Sequence, residues 1–133
     1  MLRLADTSIR LYRKKNGKVS LVLRSYLMVT TNVSFRLGAY LKNLQCRVTL
    51  PSGENVEFND IYYSDDCDYA LETMVHDFRA RAESNINIIE DGIGKLRLDY
   101  HISFTDHPYE EPSFLEIVVP LVAVRSKYKP AIR

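Results

Sequence analysis

The feature that most constrains the fold of this chain is an alternation of apolar and polar residues between Val19 and Leu37. Odd positions in this segment are mainly Val and Leu, whereas even positions include Ser, Arg, Thr and Asn. A period of two is typical of a β-strand with one buried face, because successive side chains point to opposite sides. Strands usually have about five or six residues. The 19-residue alternation therefore predicts either one long bent strand or two strands that meet near residues 30–32.

The register of the hairpin before this segment follows from its apolar faces. The pair Asn16 and Gly17 is typical of a two-residue turn, but that turn would place the apolar faces of the two strands on opposite sides. A three-residue loop over 15–17, with its glycine at positive φ, instead pairs Leu11 with Leu21 and makes one face apolar throughout. We therefore predict the three-residue loop.

The same type of loop is predicted over residues 51–53, where the sequence reads Pro-Ser-Gly. Proline favours the first position of a turn, and glycine accepts positive φ. The matching register pairs Val48 with Val56 and Cys46 with Phe58.

One helix is predicted, over about residues 65–84. Three acids at its start, Asp65, Asp66 and Asp68, suit the positive end of a helix dipole. Apolar residues at helical spacing then form a single stripe: Cys67, Leu71, Met74, Val75, Phe78 and Ala82.

Two further strands are predicted after this helix. Gly92–Gly94 is expected to turn the chain, and the alternation over 95–105 predicts a strand with one polar face. A loop over 106–113 leads to a closing strand over 114–125. This strand is apolar on both faces apart from Glu116, which indicates a central strand or one covered by a partner.

These elements predict one mostly β domain over residues 1–125 with one central α-helix, an α+β fold, followed by a basic C-terminal tail over 126–133. The strands would form an antiparallel β-barrel or a sandwich. Because the helix falls between the third and fourth strands, the element order resembles an OB-like Greek-key barrel with an extra N-terminal strand.

Charge is segregated along the chain. Residues 1–47 carry ten Lys or Arg and one acid, whereas residues 48–116 carry four bases and sixteen acids. In one interpretation the two blocks neutralise each other inside one molecule. In a second, the basic block of one subunit contacts the acidic block of the next, and the protein self-associates head to tail. Salt would weaken that contact, whereas salt-insensitive oligomers would indicate an apolar contact along 114–124.

In a third interpretation the basic hairpin binds nucleic acid, although the acids of the 106–113 loop would repel phosphates. Arginines and lysines would then contact phosphates, and Tyr12 and Tyr26 would stack on bases. In each interpretation that involves a partner, the expected contact residues are the same: Arg10, Tyr12, Arg13, Lys14, Lys15, Lys18, Arg24 and Tyr26.

No catalytic or metal-binding arrangement is evident in the sequence. Asp99, His101 and Ser103 occupy alternate strand positions about 6–7 Å apart, which is too far for the hydrogen bonds of a catalytic triad. The three acids at the predicted helix start lack the glycine and distal glutamate of a calcium loop. Cys46 and Cys67 are expected to be reduced and buried. We therefore expect no enzymatic activity, metal or cofactor.

The sequence predicts a non-enzymatic structural or protein-interaction subunit that assembles into homo-oligomers, of the kind found in virus or phage particles or among small inhibitors. The partner would be a second copy of the chain or another protein. The alternative is an OB-like protein that binds single-stranded nucleic acid. No signal peptide and no apolar run of about 20 residues are visible, so a cytoplasmic location without membrane contact is expected.

Overall fold

A computed structural model describes residues 2–29, 39–63, 69–70, 75–86, 89–104 and 110–124. In these ranges the chain forms nine β-strands: β1 (Leu2–Arg13), β2 (Val19–Val29), β3 (Ala39–Thr49), β4 (Asn55–Phe58), β5 (Asp60–Tyr63), β6 (Tyr69–Ala70), β7 (Val75–Ser84), β8 (Gly92–Phe104) and β9 (Glu110–Val124). The described residues contain no helix, and hence none long and apolar enough to cross a membrane.

Eight of the strands form one sheet in the order β4-β3-β8-β9-β1-β2-β7-β5, and β6 pairs with β3. β1 and β9 are parallel, and the other paired strands are antiparallel. β4, at one end of the order, packs against β7, which is next to the other end. There Ser84 Oγ donates a hydrogen bond of 3.3 Å to Glu54 Oε2. The sheet is therefore a nearly closed, barrel-like structure.

Two β-bulges bend strands of this sheet. β1 has one extra residue relative to β2 within 5–8, and β3 has one extra residue relative to β8 within 42–45. Each bulge contains a residue at positive φ, Asp6 at 51° and Asn43 at 54°. Asp and Asn adopt this conformation more readily than most residues. Because bulges bend a strand and increase its twist, they help the sheet to coil toward closure.

Apolar side chains from the inner face of the sheet fill the barrel. Burying one such side chain fully contributes roughly 1.5–3 kcal/mol. Ten of them have no exposed surface: Ile9, Val19, Leu21, Leu23, Leu27, Val48, Phe78, Leu96, Leu98 and Val119.

Both predicted hairpin registers are confirmed. Leu11 pairs with Leu21, and Val48 pairs with Val56. The last residue of each three-residue loop is a glycine at positive φ, 86° in the first loop and 91° in the second. Matching the apolar faces of neighbouring strands was therefore enough to fix the pairing of both hairpins.

The helix predicted over 65–84 is wrong in its described part, because Val75–Ser84 forms β7 between β2 and β5. Phe78, Ala80 and Ala82 are buried, whereas the residues between them are exposed. This period of two was overlooked because Phe78 and Ala82 are also four residues apart, as on a helix face. Alanine favours helices, but pairing on both sides of β7 outweighs that preference.

The described part of the chain is therefore all-β rather than α+β. The OB-like element order is also wrong, because it required a helix before the fourth strand and the observed sheet has eight strands in its order. Residues 65–68 and 71–74 of the predicted helix lie outside the described residues. Of the two predicted arrangements, the barrel is the one that the described strands approach.

Other predicted boundaries differ from those of the structure. The alternation that starts at Val19 is confirmed as a strand as far as Val29, and residues 30–38 lie outside the described part of the chain. Gly92–Gly94 does not turn the chain but begins β8, and β9 begins at Glu110 rather than at 114. The predicted basic tail, 126–133, also falls outside the described residues.

Candidate functional site

The outward faces of β1, β2, β7 and β5 form one continuous surface of basic and aromatic side chains. Strand pairing places Arg10 beside Val22, Val22 beside Arg81, and Arg81 beside Asp60. Neighbouring strands lie about 4.8 Å apart. Arg10 and Arg81 are thus separated by one strand and flank the Val22 side chain.

The next row of this surface, two residues along each strand, places Arg24 beside Arg79 and Arg79 beside Tyr62. The guanidinium carbon of Arg79 lies 5.8 Å from the centroid of the Tyr62 ring. This distance is within the range of a cation–π interaction. The Tyr62 ring therefore helps to orient the Arg79 side chain.

These two rows line an open groove of about 510 Å³. We call it the arginine–tyrosine groove. Asp60 is the one carboxylate among the residues that line it. The charged and aromatic side chains that define it are Arg10, Tyr12, Arg24, Tyr62, Arg79 and Arg81.

Positive charge is in excess in this groove. Arg24 and Arg79 face each other directly on neighbouring strands, an arrangement that destabilises a sheet when both residues have the same charge. Asp77 compensates Arg79 through an ion pair of 2.9 Å. Within the described part of the chain, Arg10, Arg24 and Arg81 form no ion pair. A bound anion would relieve this repulsion.

The turn between β1 and β2 lies beside the groove and is partly neutralised from β7. Lys14 forms a hydrogen-bonded ion pair with Glu83. The hydrogen bond and charge of Lys14 lower the pKa of the Glu83 carboxyl, and the charge of Lys18 lowers it further. The basic and acidic blocks of the sequence therefore meet inside one molecule at this point.

The groove brings together three of the eight predicted contact residues, namely Arg10, Tyr12 and Arg24. Tyr26 follows Arg24 on the outward face of β2 and is exposed, but does not line the groove. The other four lie at or beside the turn between β1 and β2: Arg13, Lys14, Lys15 and Lys18.

Tyr62, Arg79 and Arg81 are groove residues that were not predicted from the sequence. Both arginines fall in the last turns of the helix predicted over 65–84, where cations are favourable. A signal for their position was present, because they alternate with the apolar residues Phe78 and Ala80. Read as a strand, that alternation places both arginines on the outward face.

A second surface, on β8 and β9, is apolar. Outward positions along β9 alternate with buried ones, and four of the five from 114 to 122 are apolar. Val118 is 68% exposed and Ile93, which pairs with Pro120, is 64% exposed. We call this surface the apolar strip, and it consists of Ile93, Phe114, Val118, Pro120 and Val122.

One end of the apolar strip is held by Arg97. Its guanidinium carbon lies 4.1 Å from the centroid of the Phe114 ring. Arg97 also donates hydrogen bonds of 3.1 Å to both carboxylate oxygens of Asp99. The hydrogen bonds and charge of Asp99, together with the charge of Glu116, raise the pKa of Arg97. Arg97 is therefore a structural side chain that fixes the Phe114 ring.

The residues considered for chemistry in the sequence have other contacts in the structure. Asp99 is bound by Arg97, and the His101 Nδ1 lies 3.4 Å from the Asn43 amide nitrogen. Burial, with smaller contributions from Glu57 and Asp99, raises the pKa of the Cys46 thiol to about 12. Cys46 is reduced and buried, as predicted, and Cys67 lies outside the described residues. The described residues contain no cluster of His, Cys, Asp and Glu that could hold a metal ion.

Comparisons with known proteins identify no family. No protein-family model matches the chain, and no curated protein matches it. Among solved structures, the crystal structure of the periplasmic chaperone SfaE matches 99% of this chain and 61% of its own chain, at 8% sequence identity and a TM-score of 0.39. The chain thus spans about three-fifths of that chaperone chain. At this TM-score the likeness carries no argument about either fold or function.

Proposed function

We propose that this protein is a non-enzymatic structural or protein-interaction subunit that self-associates through the apolar strip. Subunits of this kind occur in virus and phage particles and among small inhibitors. The observation that carries the proposal is the exposure of Val118 and Ile93 beside Pro120 on the outer face of the sheet. Contiguous apolar surface of this sort marks interaction sites in soluble proteins.

The position of β9 in the sheet determines what kind of contact the strip makes. β9 lies between β8 and β1, so a partner cannot extend the sheet by pairing with it. The contact must instead join side chains across two sheet faces, which pack about 10 Å apart. An identical strip on each copy can form a closed, isologous contact. A second copy of the chain is therefore the occupant that we propose.

An apolar contact fits the structure better than the head-to-tail contact between charge blocks that the sequence also permits. The ion pair between Lys14 and Glu83 uses charges from the two blocks within one molecule. None of the five residues of the strip is charged, and Glu116, which lies between Phe114 and Val118 on the same face, is paired with Arg97 at 4.0 Å. Because screening by salt acts on charges and not on apolar contacts, the proposed association is insensitive to salt.

The test compares two glutamate substitutions on the outer face of the sheet. Val118→Glu places a charge in the centre of the strip, whereas Gln45→Glu places the same charge on exposed β3, outside the strip. Both positions are exposed, so each change should alter stability by no more than about 1 kcal/mol, a range that includes repulsion between a carboxylate at position 45 and Asp99, which lies opposite it on β8. Light scattering should give an oligomer for the unmodified protein and for Gln45→Glu, and a monomer for Val118→Glu.

Two results would overturn the proposal. One is an unmodified protein that stays monomeric at high concentration, and the other is a Val118→Glu variant with the mass of the unmodified oligomer. If Val118→Glu does not fold, as judged by circular dichroism, Ile93→Glu makes the same test from β8. Ile93 is 64% exposed and lies opposite Pro120.

A further inference from the structure

The arginine–tyrosine groove contains more positive charge than the described residues neutralise. Its lining includes four arginines and one carboxylate. It lies on different strands from the apolar strip, although Arg10 and Val122 are neighbours across β1 and β9. From this groove we infer a second binding function, namely that it binds single-stranded nucleic acid.

The arrangement of the arginines fits phosphate groups. Arg24 and Arg79 oppose each other across two strands, at a Cβ separation of about 4.5–5.5 Å. An anion between the two guanidinium groups would receive charge-assisted hydrogen bonds from both, and Arg79 would share its guanidinium group between this anion and Asp77. Arg10 and Arg81 lie in the next row, about 6–7 Å along the strands. The groove can therefore contact more than one phosphate.

Three tyrosines lie in or beside the groove, on β1, β2 and β5, and their rings are suited to stacking on nucleic-acid bases. Tyr62, on β5, is 51% exposed, and Tyr26, beyond Arg24 on β2, is 47% exposed. Tyr12 lines the groove from β1. Stacking on aromatic rings is available to every base but requires that the bases be unpaired. The combination of guanidinium groups with flanking rings therefore favours a single strand over a duplex.

Of the acids expected to repel phosphates, Glu110 and Glu111 do not lie at the groove, and Asp106 lies outside the described residues. Glu110 and Glu111 begin β9, whereas β1 pairs with Leu121–Val124 at the other end of that strand. With a rise of about 3.3 Å per residue, the ten residue steps from Glu111 to Leu121 separate these positions by roughly 30 Å. Their repulsion of a bound strand is screened over that distance, because the Debye length at physiological salt is about 8 Å.

An acidic peptide is the competing occupant, because carboxylates also bind arginine. Carboxylates would use the four arginines, but they would leave the exposed Tyr26 ring without a role and Tyr62 with only its contact to Arg79. A peptide that added to the sheet would in addition need a free strand edge. Of the strands that form the groove, only β5 is an end strand, and the four arginines lie on β1, β2 and β7, each of which is paired on both sides. The single strand is thus the better match.

The experiment measures fluorescence anisotropy of a labelled single-stranded oligonucleotide of about 16 nucleotides, titrated with protein between about 50 and 200 mM salt. Affinity should fall with salt at a slope of about −0.7 per neutralised phosphate. Arg24→Ala should reduce the magnitude of this slope by about 0.7 and weaken binding several-fold at low salt. Arg47→Ala removes the same charge from exposed β3, outside the groove, and should leave both quantities close to those of the unmodified protein.

A second pair of variants separates stacking from charge. Tyr62→Leu removes the ring and should weaken binding about tenfold without changing the salt slope. Tyr62→Phe keeps the ring and should bind like the unmodified protein. Because Tyr62 is half-exposed on the end strand β5, both Tyr62 variants should fold. They can therefore test the inference if Arg24→Ala fails to fold.

Several outcomes would overturn the inference. They are the absence of binding by the unmodified protein at about 50 mM salt, equal effects of Arg24→Ala and Arg47→Ala, and a Tyr62→Leu variant with full affinity. Competition by poly-glutamate as strong as that by unlabelled single strand would assign the groove to acidic peptides instead. Val118→Glu should retain full affinity for the oligonucleotide, so that the proposed self-association and the inferred binding can fail separately.

Discussion

Replacing Gly94 with alanine tests how closely β3, β8 and β9 approach one another in the barrel. A Cβ atom at this position would lie 3.0 Å from Val48 Cγ2, 3.2 Å from Leu121 Cδ2 and 3.2 Å from the Thr49 carbonyl oxygen. The two methyl groups can shift by small side-chain movements. The carbonyl belongs to the backbone of β3, where Thr49 pairs with Lys95, and cannot move without disturbing that ladder.

The expected cost follows from two opposing contributions. Overpacking a filled core by one methyl group costs about 1–3 kcal/mol. Replacing glycine by alanine stabilises the folded protein by about 0.4–1 kcal/mol, because it reduces the conformational entropy of the unfolded chain. Gly94→Ala should therefore lower the free energy of unfolding by about 1–2 kcal/mol. For a chain of 133 residues this corresponds to a decrease in Tm of about 3–8 °C.

Gly92 provides a matched control on the same strand. A Cβ atom there would lie 3.5 Å from Pro51 Cγ, an ordinary van der Waals contact. Gly92→Ala should therefore be neutral or stabilise the protein by up to about 1 kcal/mol. Urea denaturation of both variants, followed by far-ultraviolet circular dichroism, measures the difference. Equal stability of the two variants would refute the close approach of β3, β8 and β9 at Gly94.

Three further predictions concern individual side chains. Burial raises the pKa of the Cys46 thiol from 9.0 to about 12, so the thiol ionises first in the unfolded chain. The free energy of unfolding of the unmodified protein should therefore fall by about 1.4 kcal/mol per pH unit between pH 9.0 and about 12. Urea denaturation at several pH values measures this pH-dependent decrease, which should be absent from Cys46→Ala. Ser25 Oγ donates a hydrogen bond of 3.2 Å to the Ala5 carbonyl oxygen. Ser25→Ala should therefore lower the free energy of unfolding by about 1 kcal/mol in the same assay. An unchanged urea midpoint would count against this hydrogen bond. Lys14→Ala should raise the pKa of Glu83 toward its ordinary value in an NMR titration, and an unaltered pKa would contradict the ion pair.

The hairpins could be predicted from the sequence because local and long-range requirements agree there. Each loop ends in a glycine, and only one register places apolar residues of both strands on the same face. The pairings of Leu11 with Leu21 and of Val48 with Val56 follow from this condition alone. Neither pairing required any knowledge of the rest of the barrel.

The bulges left a signal in the sequence that was not used. In β1 the inward residues are even-numbered at Leu2 and Leu4 but odd-numbered at Ile9 and Leu11. Because strand side chains alternate strictly, such a change of phase requires one extra residue between the two segments. Asp6 lies in that interval at positive φ. The bulge was therefore predictable, although its contribution to barrel closure was not.

The groove could not be predicted, because it depends on which strands are neighbours. Arg24 and Arg79 are 55 residues apart in the sequence and meet only because β2 pairs with β7. The residues from Phe78 to Ala82 fit both a helical and a strand period, and alanine favours the helix. Pairing with β2 and β5 selects the strand over the helix. That pairing cannot be predicted from a short segment of sequence.

Sedimentation equilibrium of the unmodified protein, at concentrations from micromolar to millimolar, tests most directly the claim that the apolar strip joins two copies of the chain. The measurement is made at about 0.1 M and about 1 M salt, where charges act over about 10 Å and about 3 Å. We predict an average mass that rises with concentration above the 15.4 kDa of one chain, equally at both salt concentrations. A mass that stays at 15.4 kDa throughout, or an oligomer that dissociates at the higher salt concentration, would contradict the claim.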